Sequence, residues 1–494
     1  MPLIDAVRQE VLAPSRRRHW PQTYFAVAAT SLATLLLELT LTRVFSVIYF
    51  YHFAFLAISI ALFGLGAGGV LSYLIVDYRG SLYNKVGLLA TLNAVAIVLC
   101  LWFLLERTGN MQATELTLAY FASAIPFILS GAILSLVIAD TIQCVNRVYF
   151  FDLMGAAAGC AVLIPLLNTL GGPNTILVAA VLFAVSSAIW FHLAGSTKGR
   201  VGAVIVGLLL VALIACNAKL FLIDVRYAKS QPIGHEEFVQ WNSFSRVGLK
   251  QEGSIKSIVI DADAATGVAN FDFDHLSRKD RFDLAYQGPG FPYLLRPGAK
   301  TLVIGPGGGW DIARALAAAS KDVVGVEINP IIADEIMRKR FPQYSNRLYF
   351  RPEVNILVDD GRSFIRRSHD RYNVIQATLV DTWASTAAGA FALSENNLYT
   401  TNAFTDYLNH LTDDGILAFT RWGFVPPRES LRVVSLAAAA LRQIGQQQPS
   451  RNIIVVREDL QKLTKWGAQD TILISRQPFT QTDIDRIRNA VRIA

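Results

Sequence analysis

Charge is scarce in this chain. Only 17% of its 494 residues are Asp, Glu, Lys or Arg, against roughly 25% in soluble globular domains. Hydrophobic residues make up 53%, and mean hydropathy is +0.38. That balance excludes a disordered, collagenous or disulfide-scaffold protein. Cysteine is scarce too. Cys100, Cys144, Cys160 and Cys216 all lie in the first half, and none belongs to a CxxC pair. Cysteine-based redox or zinc chemistry is thereby excluded from the second half. The seven histidines show no HExxH or comparable ligand spacing, so no metal is expected. No Lys/Arg run is interleaved with aromatics. The net charge of +7 divides into +2 over residues 1–23, +2 over 24–223 and +3 over 224–494, so no nucleic-acid partner is expected. The one dense basic cluster, Arg16-Arg17-Arg18-His19, stands just before the first apolar run, where a cytoplasmic topology anchor belongs.

What the chain has in abundance is long apolar sequence. Crossing the hydrocarbon core takes about 20 apolar residues. About seven candidate spans are predicted, near 24–43, 51–76, 86–105, 116–139, 149–167, 174–194 and 201–223. The first is too long for a cleavable signal and contains Glu38. A lipid bilayer is therefore the first expected partner. Gly64, Gly66, Gly68 and Gly69 crowd the second span, and Gly155 and Gly159 form a GxxxG in the fifth, a pattern of close helix packing in lipid. Glu38 with Arg43, and Asp152 with Arg147, are either interfacial ion pairs or intramembrane sites. Arg79, Lys85, Arg147, Lys198 and Arg200 fall in loops on one side, which puts the N-terminus in the cytoplasm. Seven crossings would then carry the second half outside. The cofactor argued below favours a cytoplasmic second half, in a cell-membrane protein of several passes.

From about Asp224 the chain turns polar. Residues 1–23 read as a basic tail, 24–223 as a transmembrane helical domain, 224–297 as a linker and small β-subdomain, and 298–494 as an α/β domain. Strands are predicted at Val247–Lys250 and Ser257–Asp261, then at Thr301–Ile304, Val323–Val326, Val354–Val358, Asn373–Ala377, Ile416–Thr420, Ile453–Val456 and Thr471–Ser475. Helical patterns at 311–319, 331–340, 362–367, 401–411, 428–444 and 480–491 separate most of the last seven. The expected fold is a doubly wound seven-stranded Rossmann-like sheet behind a polytopic membrane domain. Such a sheet binds ligands at the carboxyl ends of its strands.

The first of those strands runs into Gly305-Pro306-Gly307-Gly308-Gly309-Trp310-Asp311. It is neither GxGxxG nor a P-loop. It fits the GxGxG nucleoside-binding turn of class I methyltransferase-like folds, with Gly305, Gly307, Gly309 and Asp311 as candidate contacts. Glu327 ends the second strand, where a carboxylate can accept both ribose hydroxyls. Asp360-Gly361 ends the third, where an acid can accept from an adenine amine. After the fourth strand a long loop, 378–400, carries Asp381, Glu395 and Tyr399. An acid there could orient a nucleophile or take its proton.

These residues resemble the spermidine synthase family and its membrane-fused bacterial relatives. The likeness covers most of 235–494. It rests on Ile304 to Asp311, Val326-Glu327-Ile328, Asp360-Gly361-Arg362, Tyr372–Ala377, Leu398 to Phe404 and Trp241 to Val247. In the first half, Glu38 to Arg43 and Tyr149 to Gly159 are similar to segments of the membrane-fused relatives. The resemblance implies S-adenosylmethionine or decarboxylated S-adenosylmethionine as co-substrate, without metal. It also implies transfer of a methyl or aminopropyl group to an amine or polyamine, with homodimerisation among the expectations. It carries Gly305, Gly307, Gly309, Glu327 and Asp360 over as nucleoside contacts. Two departures stand out. Gly308 replaces the Asp of the family's GGGDG, and Thr378 replaces the first acid after the fourth strand, the expected base. Asp381 matches only the second acid. Two readings follow. One is a membrane-tethered transferase in which Asp381 holds or deprotonates the acceptor. The other is a transporter or sensor whose Rossmann-like domain binds a nucleoside or polyamine without chemistry.

Overall fold

The computed structural model describes residues 20–49, 53–78, 80–107, 112–380, 397–458 and 468–493. The chain divides into two compact units. The first is essentially residues 1–234 with 241–245, and the second is most of the remainder.

Six helices among the described residues of the first unit are long and apolar enough to cross a membrane: α1 (Trp20–Ile48), α2 (Ala54–Val76), α3 (Leu82–Leu105), α4 (Ala113–Asp140), α5 (Val145–Leu193) and α6 (Thr197–Leu220). Leu62, Val70 and Leu74 of α2 and Leu208 and Leu209 of α6 are 65–75% exposed. An apolar belt of that kind suits lipid, not water. The expected glycine packing is present at particular positions. A Cβ on Gly155 would collide with the Ala28 carbonyl, and one on Gly68 with that of Ile128, whereas Gly66 meets nothing.

The fifth and sixth expected spans form one helical element, α5, broken by Gly171 at φ 77° and ψ 173°. Its first half runs in the same sense as α1, since Gly155 abuts Ala28 and Gly159 abuts Leu32. Ser186 is back at the level of Ala26 and Thr30, donating to the Ala26 carbonyl at 3.1 Å and lying 2.8 Å from the Thr30 hydroxyl. The helix therefore doubles back at Gly171. Chain leaving α6 lies at the Ile48 end of the bundle, where the Lys229 N–H donates to the Ile48 carbonyl at 2.7 Å.

The second unit contains a small antiparallel sheet, with β3 (Phe238–Trp241), β4 (Arg246–Glu252), β5 (Ile255–Ile260) and β6 (Ala264–Gly267) in that order, preceded by the first unit's short pair β1 (Tyr227–Ala228) and β2 (Gln231–Pro232). A seven-stranded sheet follows, made of β7 (Thr301–Ile304), β8 (Val323–Glu327), β9 (Val354–Val358), β10 (Tyr372–Thr378), β11 (Leu411–Gly423), β12 (Ile453–Arg457) and β13 (Ala468–Ser475), in the order β12-β13-β11-β10-β7-β8-β9. Strands β7 to β11 pair in parallel. Strand β13 lies antiparallel between β11 and β12, so the sheet is mixed at that edge.

Period-2 alternation sets the two faces. Leu302 and Ile304 enter one core with Ile375, Leu417, Phe404 and Leu441. Val303 and Val374 enter the other with Ile312, Ile332 and Leu249. The chain winds outward from β7 through β8 to β9, then returns to place β10 on the other side of β7. The topological switch point therefore lies between β7 and β10, where open α/β sheets bind ligands.

Candidate active site

The turn after β7 opens directly onto that switch point. Gly305, Gly307 and Gly309 have φ of 68°, 52° and 91°, a region that L side chains rarely adopt. Sterics reinforce this at Gly305, where a Cβ would stand 2.9 Å from Val380. Gly308 is fixed for another reason. A Cβ there would collide with the backbone carbonyl of Gly267, and the Ala269 N–H donates to the Gly308 carbonyl at 2.8 Å. The Trp310 indole also donates to the Gly267 carbonyl, at 2.9 Å. Strand β6 thus occupies the space a side chain at 308 would need, which explains one departure from the family motif.

Glu327, at the end of β8, is 4% exposed. Its Oε2 accepts the Gly307 N–H at 3.1 Å and its Oε1 the Asn329 N–H at 3.0 Å. Burial pushes its carboxyl up, and the N–H groups of Asn329, Gly307 and Ile328 oppose that shift. The Tyr349 hydroxyl donates to the Gly307 carbonyl at 2.7 Å. The glycine turn and the β8 carboxylate are thus brought together. A buried carboxylate that holds one N–H on each oxygen keeps further acceptor capacity.

At the end of β9, Asp360 caps the helix Gly361–Arg367 by accepting the Ser363 N–H at 2.8 Å. It lines a cavity of about 610 Å³ with Arg362, Ser363, Arg366, Arg367 and Asn397. Gly361 has a packing reason, since a Cβ would stand 2.6 Å from Ile304. Tyr399 is committed as well. Its hydroxyl donates to the Val380 carbonyl at 3.0 Å, and Arg421 Nη1 reaches that hydroxyl at 3.2 Å. Arg421 in turn pairs with Glu429, with its Nε at 2.7 Å from the carboxylate. Tyr399 therefore ties the segment just after β10 to Arg421. Asp381 and Glu395 lie outside the described residues.

Asp311 is 5% exposed and pairs with Arg314 Nη1 at 2.8 Å. Burial pushes its carboxyl up, against Arg314. Sequence reasoning missed two sets of contacts here, one around Gln376 and one around Arg314. Gln376 Nε2 donates to the Pro289 carbonyl at 2.8 Å and lies 3.4 Å from the Thr378 hydroxyl, while its Oε1 accepts the Tyr293 hydroxyl at 2.6 Å. Arg314 Nη2 reaches Gln287 at 3.2 Å. The one available signal was Gln376 itself, a polar residue inside the apolar run of β10.

No family model matches the chain. In sequence it is similar to curated polyamine aminopropyltransferases. It is 28% identical over 127 residues to one from Buchnera aphidicola, covering 25% of this chain and 41% of the relative. It is 26% identical over 151 residues to one from Pectobacterium carotovorum, covering 30% and 52%. The chain thus spans about half or less of the length of the curated relatives it matches. Among solved structures, a spermidine synthase in complex with the transition-state analogue AdoDATO aligns at a TM-score of 0.36 and 16% identity, over 51% of this chain and 76% of its own. A spermidine synthase from Thermotoga maritima aligns at 0.36 and 14%, over the same shares.

Proposed function

We propose that the protein is a membrane-bound transferase. It takes S-adenosylmethionine or its decarboxylated form and moves a methyl or aminopropyl group to an amine acceptor. The observation that carries this reading is the pairing of three left-handed glycines after β7 with Glu327 at the end of the neighbouring β8, beside the switch point of the sheet. The likeness to polyamine aminopropyltransferases supports an amine or polyamine as acceptor. In this reading Glu327 takes the ribose hydroxyls, the Gly305–Gly309 backbone admits the nucleoside closely, and Asp360 accepts from the adenine amine. Asp381 holds the acceptor's ammonium group. Displacement at the sulfonium carbon then needs mainly proximity and alignment. The domain division proposed with it is 24–223 for the membrane and 298–494 for the chemistry, with 224–297 joining them. The test is release of the thioether product by the purified chain from either sulfonium and a diamine. Asp381→Asn should cut turnover tenfold or more while sulfonium binding stays unchanged. Unchanged turnover would remove Asp381 from the mechanism.

The reversal of α5 at Gly171 gives seven passes in this reading, with the second unit in the cytoplasm where its co-substrate is made. The Trp20 end of the bundle, with Lys85, Arg147, Lys198 and Arg200, then faces outward, against the usual charge bias. A reporter fused after Ala494 should be active in the cytoplasm. Activity only on the outer face would deprive the site of its co-substrate and end this reading.

A further inference from the structure

We infer that the second unit carries a further binding site, separate from the glycine turn, for an organic anion with a flat apolar body. It lies between the helix Arg278–Ala285 and the helix Trp310–Ala317. The inference goes beyond the transferase reading and does not rest on it.

Ser277 caps the first of these helices by accepting the Asp280 N–H at 3.0 Å. Residues three and four apart share a helix face. Arg278, Arg281, Phe282 and Ala285 follow that spacing, whereas Asp280 and Asp283 fall off it. The shared face borders a cavity of about 440 Å³, a volume within the range of small-molecule sites. Among the described residues no carboxylate lines this cavity, while Arg278, Arg281 and Arg314 all do. Arg278 and Arg281 are exposed and make no ion pair among the described residues. Arg314, on the facing helix, is 8% exposed. Its guanidinium donates to Asp311 at 2.8 Å and to Gln287 at 3.2 Å, and its buried Nε has no partner among the described residues. A buried N–H without an acceptor is costly, and an anion seated against this side chain would supply one.

The walls set the shape of the ligand. Phe282 and Tyr286 stack with ring centroids 4.6 Å apart and planes 18° from parallel, and Phe282 is 41% exposed. Leu294, Pro297 and Ala317 add apolar surface. Stacked rings offer a flat face to another ring. A guanidinium fork matches a carboxylate or phosphate with parallel hydrogen bonds. The class so defined is an aryl carboxylate or aryl phosphate.

Position separates this cavity from the adenosyl site. The Gly298 N–H donates to the Ala318 carbonyl at 2.8 Å, which holds the far end of Trp310–Ala317 near the amino end of β7. The glycine turn stands at the carboxyl end of β7, just before the same helix begins. At the α-helical rise, the two ends of that helix are about 11 Å apart.

The test titrates the purified full chain in detergent micelles with naphthoate by calorimetry, against matched empty micelles. Saturable binding is expected, weakened about tenfold or more in the Arg278→Ala/Arg281→Ala double variant. Naphthamide, the same ring without the charge, should bind weaker by a similar factor, and Phe282→Ala should weaken naphthoate as well. Arg278→Lys/Arg281→Lys keeps the charge and should recover part of the affinity, a rescue that a folding defect would not give. Excess methylthioadenosine should leave naphthoate binding unchanged. Absence of saturable binding overturns the inference. So does equal binding of the amide, or wild-type affinity in the double alanine variant. Displacement of naphthoate by methylthioadenosine would put the anion in the adenosyl site and overturns it too. No step of the transfer enters the readout, so loss of the transferase reading leaves this result standing.

Discussion

The two units bury polar groups in opposite ways. In the helical unit the buried donors are mostly short hydroxyls returned to a carbonyl one turn back. Thr30, Ser31, Thr34 and Thr40 each donate to residue i−4, and Asp152, at an acid position flagged from sequence, accepts the Ser31 hydroxyl. In the second unit several buried carboxylates are held by cations, Asp311 by Arg314, Glu236 by Arg246 and Asp470 by Arg457. Where backbone groups can satisfy one another inside a helix, a hydroxyl needs no partner beyond its own turn. A buried carboxylate, by contrast, needs a specific partner to remain buried. The comparison separates polar residues that serve packing from those poised for chemistry.

The sharpest way to break this contrast is to remove one partner in each unit. Arg314→Met leaves Asp311 buried and unpaired, and should destabilise the second unit by about 3–5 kcal/mol in denaturant unfolding. Arg107→Met breaks the pair with Glu115 in the helical unit, where both side chains are about 30% exposed, and should change stability by less than about 1 kcal/mol. Equal effects would erase the distinction.

Close approach gives a second, smaller test. Gly308→Asp restores the family's acid but drives a side chain into the Gly267 carbonyl, and should cost about 1–3 kcal/mol. Gly68→Ala should cost a similar amount through Ile128, while Gly66→Ala, facing open space, should be neutral or slightly stabilising. Thermal unfolding of each variant reads the difference.

The smallest expected effect is on pH dependence. Glu327 and Asp311 both have carboxyls raised by burial. A raised folded-state pKa contributes stability that is full below the unfolded value, about 4 for a carboxyl, and is lost as pH rises through the folded value. The unfolding midpoint of the second unit should therefore fall as pH rises from about 4 toward neutrality, with a slope that Glu327→Gln flattens. A slope unchanged in that variant would show that Glu327 does not titrate with folding.

Much of the sheet is legible in the sequence. Thr301–Ile304 and Val354–Val358 are bounded apolar runs, and each forms a strand over those very residues. The Gly-rich turn and Glu327 are legible too, because position after a strand is a local property. The burial of Asp311 is not, because it depends on what packs over the Trp310–Ala317 helix. The contacts of Gly361 and Tyr399 are not legible either, since Ile304 and Val380 are distant in sequence. In the first unit, the Gly-Gly-Pro sequence at 171–173 marks a break between two apolar stretches but does not reveal that one helical element continues through a reversal.

The central claim is that the glycine turn and Glu327 form an adenosyl site. The most direct measurement is calorimetric titration of the purified full chain with S-adenosylmethionine, its decarboxylated form and methylthioadenosine. Micromolar binding of at least one, lost in Glu327→Ala, is the predicted result. Binding of none of the three, or equal binding by Glu327→Ala, would contradict it.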